Sequence, residues 1–116
     1  MYHFFKVISK INLNGLYLKD LDEEFSENRG IVLAAVQQNG LALQYAPKRF
    51  KKDIELVLVA VNQNGNALEF AHEKLRDDVK VVTVAVRNSK NAIRYASKSI
   101  QLDKNKVRKV SFQLDT

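Results

Sequence analysis

Apolar positions along the chain recur with a period of 25 residues. Residues 29–53, 54–78 and 79–103 align without a gap. Val32, Val57 and Val82 fall in one column, followed by Ala35, Ala60 and Ala85, then Val36, Val61 and Val86. Further along come Ala42, Ala67 and Ala92, then Leu43, Leu68 and Ile93. An aromatic column (Tyr45, Phe70, Tyr95) precedes Ala46, Ala71 and Ala96, and the unit closes with Phe50, Leu75 and Ile100 before an acid at Asp53, Asp78 and Asp103. One period upstream, a worn copy in residues 1–28 retains Val7, Ile11, Asn14-Gly15, Leu18 and Phe25, with Asn28 where the acids stand. Downstream, residues 104–116 supply half a unit, with Val107 and Val110 in the valine and alanine columns. The whole chain, 1–116, therefore reads as one repeat domain with a degenerate first unit, three good units and a closing half-repeat cap. Atypical ends are expected of a stack, because each unit's apolar face needs a neighbour and the outermost faces meet water.

The first segment of a unit, such as Ile54–Val61, has the β-branched richness of a buried strand, so a strand–helix repeat competes. Helix is favoured on three grounds. Asn28, Asp53, Asp78 and Asp103 precede the segments as N-caps, whose side-chain oxygen accepts an orphan backbone N–H. Val57, Ala60 and Val61 fall at i, i+3 and i+4, a helical stripe. Asn39-Gly40 and Asn64-Gly65 then read as left-handed helix stops. The second segment, around Ala67, Leu68 and Ala71, reads as a short helix that breaks near Ala46, Ala71 and Ala96. Pro47, His72 and Ser97 follow; proline is costly inside a helix but suited to its start, so a single turn (47–50, 72–75, 97–100) is expected there. The predicted class is all-α: a short-helix tandem repeat, solenoid-like, with right-handed coiling by analogy with other helical arrays. Small alanines in the central columns would let helices approach closely.

The run Val32, Ala35-Val36, Asn39-Gly40, Ala42-Leu43, Tyr45-Ala46-Pro47, Phe50 and Asp53, repeated one and two periods later, resembles the tandem repeat family catalogued as domain of unknown function 4116. The resemblance covers about residues 29–103 well and the ends weakly. It implies helical repeats and supplies no catalytic residue. The chain departs from the pattern at Ser89-Lys90, which replace Asn-Gly in the turn of the last full repeat, and at Pro47.

Composition narrows the function. The 116 residues make one domain's worth of chain, 46% apolar and 28% charged, neither disordered nor membrane-like. Zero Cys removes disulfides, thiolate metal sites and cysteine nucleophiles, and His3 and His72 leave little for metal or imidazole chemistry. No metal, cofactor or catalytic residue is expected. Residues 1–8 do not form a secretory signal, no stretch reaches a membrane span, and a cytoplasmic protein is expected. The acidic run Asp20, Asp22, Glu23, Glu24 reads as a solvated helix end.

The net charge of +6 invites a nucleic-acid reading, but its distribution does not. Residues 1–28 carry −2, 29–53 carry +4, 54–78 carry −3, 79–103 carry +4 and 104–116 carry +3. Columns such as Lys48, Glu73, Lys98 and Gln44, Glu69, Arg94 mix signs, which suggests inter-repeat ion pairs rather than a uniformly basic groove. The basic signal collects at the C-terminal side, in Lys90, Arg94, Lys98, Lys104, Lys106, Arg108 and Lys109 with Arg87. The ends of the first segments present amides or arginine once per unit: Gln37, Asn62 and Arg87, beside Gln38, Gln63 and Asn88. Regularly spaced amides on helical repeats read RNA bases in some proteins, but helix-end residues of this kind are more simply solvated. The aromatic column shares its segment with the Ala and Leu columns and is assigned to the core.

The expected function is a non-catalytic scaffold for a protein partner, bound through Gln37, Gln38, Asn62, Gln63, Arg87 and Asn88. The alternative is nucleic-acid binding through the basic patch. The capping assignment makes one measurement decisive: Asp78→Ala lowers unfolding stability by about 1 kcal/mol in chemical denaturation, and an unchanged midpoint rules out a helix starting there.

Overall fold

The computed structural model describes residues 2–103, and the expected half-repeat cap with Lys104, Lys106, Arg108 and Lys109 lies outside them. Among the described residues every regular element is helical. A unit begins with a long helix: α1 (Tyr2–Leu13), α3 (Arg29–Gln38), α5 (Ile54–Gln63) or α7 (Val79–Asn88). Each runs into a six-residue 3-10 helix: η1 (Gly15–Asp20), η2 (Gly40–Tyr45), η3 (Gly65–Phe70) or η4 (Lys90–Tyr95). A single-turn helix closes the unit: α2 (Glu23–Ser26), α4 (Lys48–Lys51), α6 (Glu73–Arg76) or α8 (Lys98–Leu102).

The caps stand where the sequence places them. Asn28 Oδ1 accepts from the Ile31 N–H at 3.1 Å, and Asp53 Oδ1 from Leu56 at 3.1 Å. Asp78 Oδ1 accepts from both Lys80 (2.8 Å) and Val81 (3.3 Å). α3, α5 and α7 each begin at such a cap, and each long helix ends at an Asn or Ser whose N–H still reaches the helix, as Asn39 reaches the Ala35 carbonyl at 2.8 Å.

The second segment is helical but tighter than an α-helix. Runs of 3-10 helix beyond three or four residues are uncommon because their hydrogen bonds are poorly aligned. Here burial at every third residue compensates. Gly40, Leu43 and Ala46 are buried, as are Gly65, Leu68 and Ala71. In a helix of three residues per turn these eclipse and form one apolar edge. The long helices stack side by side in one layer, the 3-10 helices in a second, and the assembly is elongated, 52 × 24 × 17 Å. The Val, Ala and Leu columns interlock between the layers, where Val32, Ala35, Val36, Val57, Ala60, Val61, Val82 and Ala85 are fully buried. The aromatic column lies at the margin of this core rather than inside it: Phe70 and Tyr95 are half-buried and Tyr45 is 38% exposed.

Asn39-Gly40 and Asn64-Gly65 are not left-handed stops. Among the described residues no backbone φ is positive. Asn39 is extended (φ −151°, ψ 108°), ends α3 and caps η2 at once, its Oδ1 accepting from the Leu41 N–H at 3.0 Å. Asn14 and Asn64 repeat the geometry. The glycine answers a packing demand. A Cβ on Gly15 would stand 2.3 Å from the Ala35 carbonyl oxygen, on Gly40 2.2 Å from that of Ala60, and on Gly65 2.1 Å from that of Ala85. Only hydrogen fits between the foot of η1, η2 or η3 and the long helix of the next unit. Ser89-Lys90 keep the same turn (Ser89 φ −145°, ψ 113°) without a side-chain cap bond, so the departure from Asn-Gly leaves the backbone path of the last full unit unchanged.

This packing predicts that Gly40→Ala and Gly65→Ala each lower stability by about 3 kcal/mol, since the intruding methyl meets the backbone carbonyl of Ala60 or Ala85. Gly30, near the start of α3, has Asn28 Oδ1 at 3.2 Å as its nearest obstacle. Gly30→Ala is expected to change stability by less than about 1 kcal/mol. Equal losses at positions 30 and 40 in urea titrations would refute the packing role.

Candidate binding surface

The ends of α3, α5 and α7 lie in a row along one side of the stack, and Gln37, Gln38, Asn62, Gln63, Arg87 and Asn88 are all exposed there. They fall into two groups. Gln63 Oε1 accepts from the Gly40 N–H at 2.5 Å, and Asn88 Oδ1 accepts from the Gly65 N–H at 2.6 Å. Asn88 Nδ2 also donates to the Asn62 carbonyl at 3.0 Å. These two amides therefore clamp the same glycines that the alanine carbonyls face, and each ties a unit to the one before it. Gln37, Gln38 and the Asn62 side chain make no hydrogen bond to a described residue, so their amides remain available.

On the opposite edge of each unit, consecutive single-turn helices meet. His72 donates its backbone N–H to the Lys51 carbonyl at 2.9 Å, and Ser97 donates to that of Arg76 at 2.8 Å. His72 Nδ1 caps α6 by accepting from Lys74 at 3.1 Å, and Ser97 Oγ caps α8 by accepting from Ile100 at 3.2 Å. The imidazole thus has a capping role that its column, filled elsewhere by Pro and Ser, does not announce. Pro47 has no N–H to give. At that junction Arg49 donates to the Glu27 carbonyl at 2.6 Å and also pairs with the Glu27 carboxylate.

Inter-repeat ion pairs exist, but on other columns than expected. Arg29 Nε meets Asp53 Oδ2 at 2.7 Å and Arg29 Nη2 meets Glu55 Oε2 at 3.2 Å. Lys48, Glu73 and Lys98 form no ion pair among the described residues. Within the basic patch, Lys90, Arg94 and Lys98 are exposed, and Arg94 lies over the Tyr95 ring, 4.9 Å from its centroid. Lys90 occupies the column held by glycine in the three preceding units. Asp20, Asp22, Glu23 and Glu24 are exposed around the start of α2. Among the described residues no three His, Asp or Glu side chains converge as metal ligands would, and no helix is long and apolar enough to cross a membrane.

The same units are matched by a family model, described as Domain of unknown function (DUF4116), over residues 7–51, 28–76 and 53–101. The chain belongs to this family. The second and third DUF4116 matches are displaced by one repeat period at both ends, from 28 to 53 and from 76 to 101, and each spans almost two units. Each match therefore contains one junction of glycine and alanine carbonyl, and the matches over 28–76 and 53–101 also contain the amide that bonds the glycine. No curated protein and no solved structure matches the chain.

Basic residues 48–52 (Lys-Arg-Phe-Lys-Lys) form a concentrated run on α4 that comparison by columns had divided among different positions. The per-unit charge of +4 for residues 29–53 was the available signal. The Arg29–Asp53 pair also sets a pH dependence. The Arg29 guanidinium, chiefly through its hydrogen bond, holds the Asp53 carboxyl below the ordinary carboxylate range, against an opposing effect of burial. The unfolded chain then binds the proton more tightly. The pair stabilises the fold at neutral pH, and that contribution is lost as pH falls through the ordinary Asp range towards the lowered folded value. Arg29→Met should flatten the acid limb of a melting-temperature profile below about pH 4.5. An unchanged limb would show that the pair contributes nothing.

Proposed function

We propose that this protein is a non-catalytic helical-repeat scaffold that binds a protein partner in the cytoplasm through the ends of its long helices. The supporting observation is the pair of roles among the amides. Gln63 and Asn88 hold consecutive units together, while Gln37, Gln38 and Asn62 lie exposed beside them with donors and acceptors unused. Amides displayed at fixed intervals along a stacked array offer repeated donors and acceptors to an extended partner, which favours recognition over chemistry. The contact set preferred on this basis is Gln37, Gln38, Asn62 and Arg87. Gln63 and Asn88 act chiefly as supports.

A second reading, nucleic-acid binding through the basic patch, rests on Lys90. A long exposed cation replaces the buried glycine at the last full unit, next to exposed Arg94 and Lys98.

Affinity capture from the source organism's lysate separates the readings. A scaffold retains its partner after nuclease treatment and in Arg94→Glu/Lys98→Glu, and loses it in Gln37→Ala/Asn62→Ala, whose melting temperature should match the parent's. Loss of capture with nuclease, or a steep salt dependence of binding to an oligonucleotide, would replace the scaffold by the nucleic-acid reading.

A further inference from the structure

The seam between consecutive single-turn helices opens twice, one period apart. The first cleft, about 450 Å³, is lined by Lys48, Lys51, Lys52, Phe70, Ala71 and His72. The second, about 400 Å³, is lined by Glu73, Arg76, Arg94, Ala96, Ser97, Lys98 and Gln101. Both volumes lie within the roughly 300–1,000 Å³ of small-molecule sites. Lys48, Lys51, Ala71 and His72 correspond to Glu73, Arg76, Ala96 and Ser97 under a shift of one repeat, so the two clefts are the same place in successive units. Each has three cationic side chains and an apolar wall, Phe70 with Ala71 in the first and Ala96 in the second. In the second, Arg76 Nε is buried and has no hydrogen-bond partner. A buried donor of a charged group without an acceptor is unfavourable unless something accepts from it.

We infer that these clefts each bind one phosphate group, carried by a phosphomonoester whose organic part lies against the apolar wall. An oxyanion in the second cleft accepts from Arg76 Nε–H and is flanked by Arg94 and Lys98, with Ser97 and Gln101 as polar neighbours. Arg94 is held over Tyr95 and so is partly preorganised for this. In the first cleft Lys51 takes the place of Arg76, with Lys48 and Lys52 beside it. Discrete anions fit better than a polyanion. Glu73 lines the second cleft, and Glu73 and Asp77 line a third cleft beside it, interrupting the positive surface between the two sites. The sites lie away from the amide face, and the inference does not depend on the scaffold reading.

Titration of the full chain with phosphoserine and, separately, with inorganic phosphate at constant ionic strength tests this by nuclear magnetic resonance. The Arg76 Nε–H signal reports the second cleft and the His72 ring signals report the first. Saturable shifts at both are expected. Lys98→Gln weakens binding at Arg76 about tenfold with little change at His72, and Lys51→Gln does the reverse, since each removes one charged donor. Lys6→Gln, an equal charge change on α1, leaves both unchanged. Tighter binding of phosphoserine supports the ester, and equal binding of both probes supports the phosphate group with the free ion as its source. Shifts produced equally by chloride, shifts absent at Arg76, or equal weakening by Lys6→Gln would overturn the inference.

Discussion

The fold depends on a contact in which nothing larger than hydrogen fits. At the foot of η1, η2 and η3 a glycine stands against the carbonyl of an alanine from the next unit's long helix, with about 2 Å left for any Cβ. Alanine on the other side keeps the helix slender enough to come that close. Glycine weakens most regular structure by its extra freedom in the unfolded chain. Here that loss is offset by the close approach of two backbones and the burial of the Val and Leu columns on either side. The Gly40 and Gly65 N–H groups are then bonded by Gln63 and Asn88 from the same neighbouring helix. One small residue thus fixes both the separation and the registration of consecutive units.

Around this shared seat the junctions differ, and the differences follow chemistry rather than chance. Where Pro47 cannot donate a backbone hydrogen bond, Arg49 supplies two contacts to Glu27. Where His72 and Ser97 donate, Lys51 and Arg76 form no ion pair among the described residues, and the clefts open there. The side of the array that holds the long-helix ends is amide-rich. The side where the single-turn helices meet is cationic and holds the clefts. A proposed scaffold that also takes small anions would therefore keep its two kinds of ligand on separate edges.

Much of this was legible in one chain because the period repeats the message. The caps at Asn28, Asp53 and Asp78 and the valine, alanine and leucine columns stand in the structure as the pattern has them. The second segment is helical as expected, but the turn that leads into it differs from the expectation set by Asn-Gly, which by itself signals a left-handed stop. The true reason for glycine lies 20 residues away in Ala35, Ala60 or Ala85, and no local rule reaches that far. The spacing of three in Gly40, Leu43 and Ala46 did carry the 3-10 geometry. The clefts were hidden for a different reason: the column of Lys51 and Arg76 also holds Ser26 and Gln101, so it does not read as basic. Likewise the amides split into clamps and free groups only once the position of the neighbouring glycine N–H is known.

Because Gly15, Gly40 and Gly65 offer near-identical seats, a long helix displaced by one whole unit would meet almost the same partner. An array of this kind has degenerate registers, and the energy that selects the right one comes from whatever breaks the symmetry. Arg29 with Asp53 and Glu55, and Pro47 with Arg49 and Glu27, label individual junctions and serve that purpose. Lys90 does so most bluntly. There an exposed lysine stands in the column where the other three units hold a buried glycine, so the last full unit is marked apart from those before it.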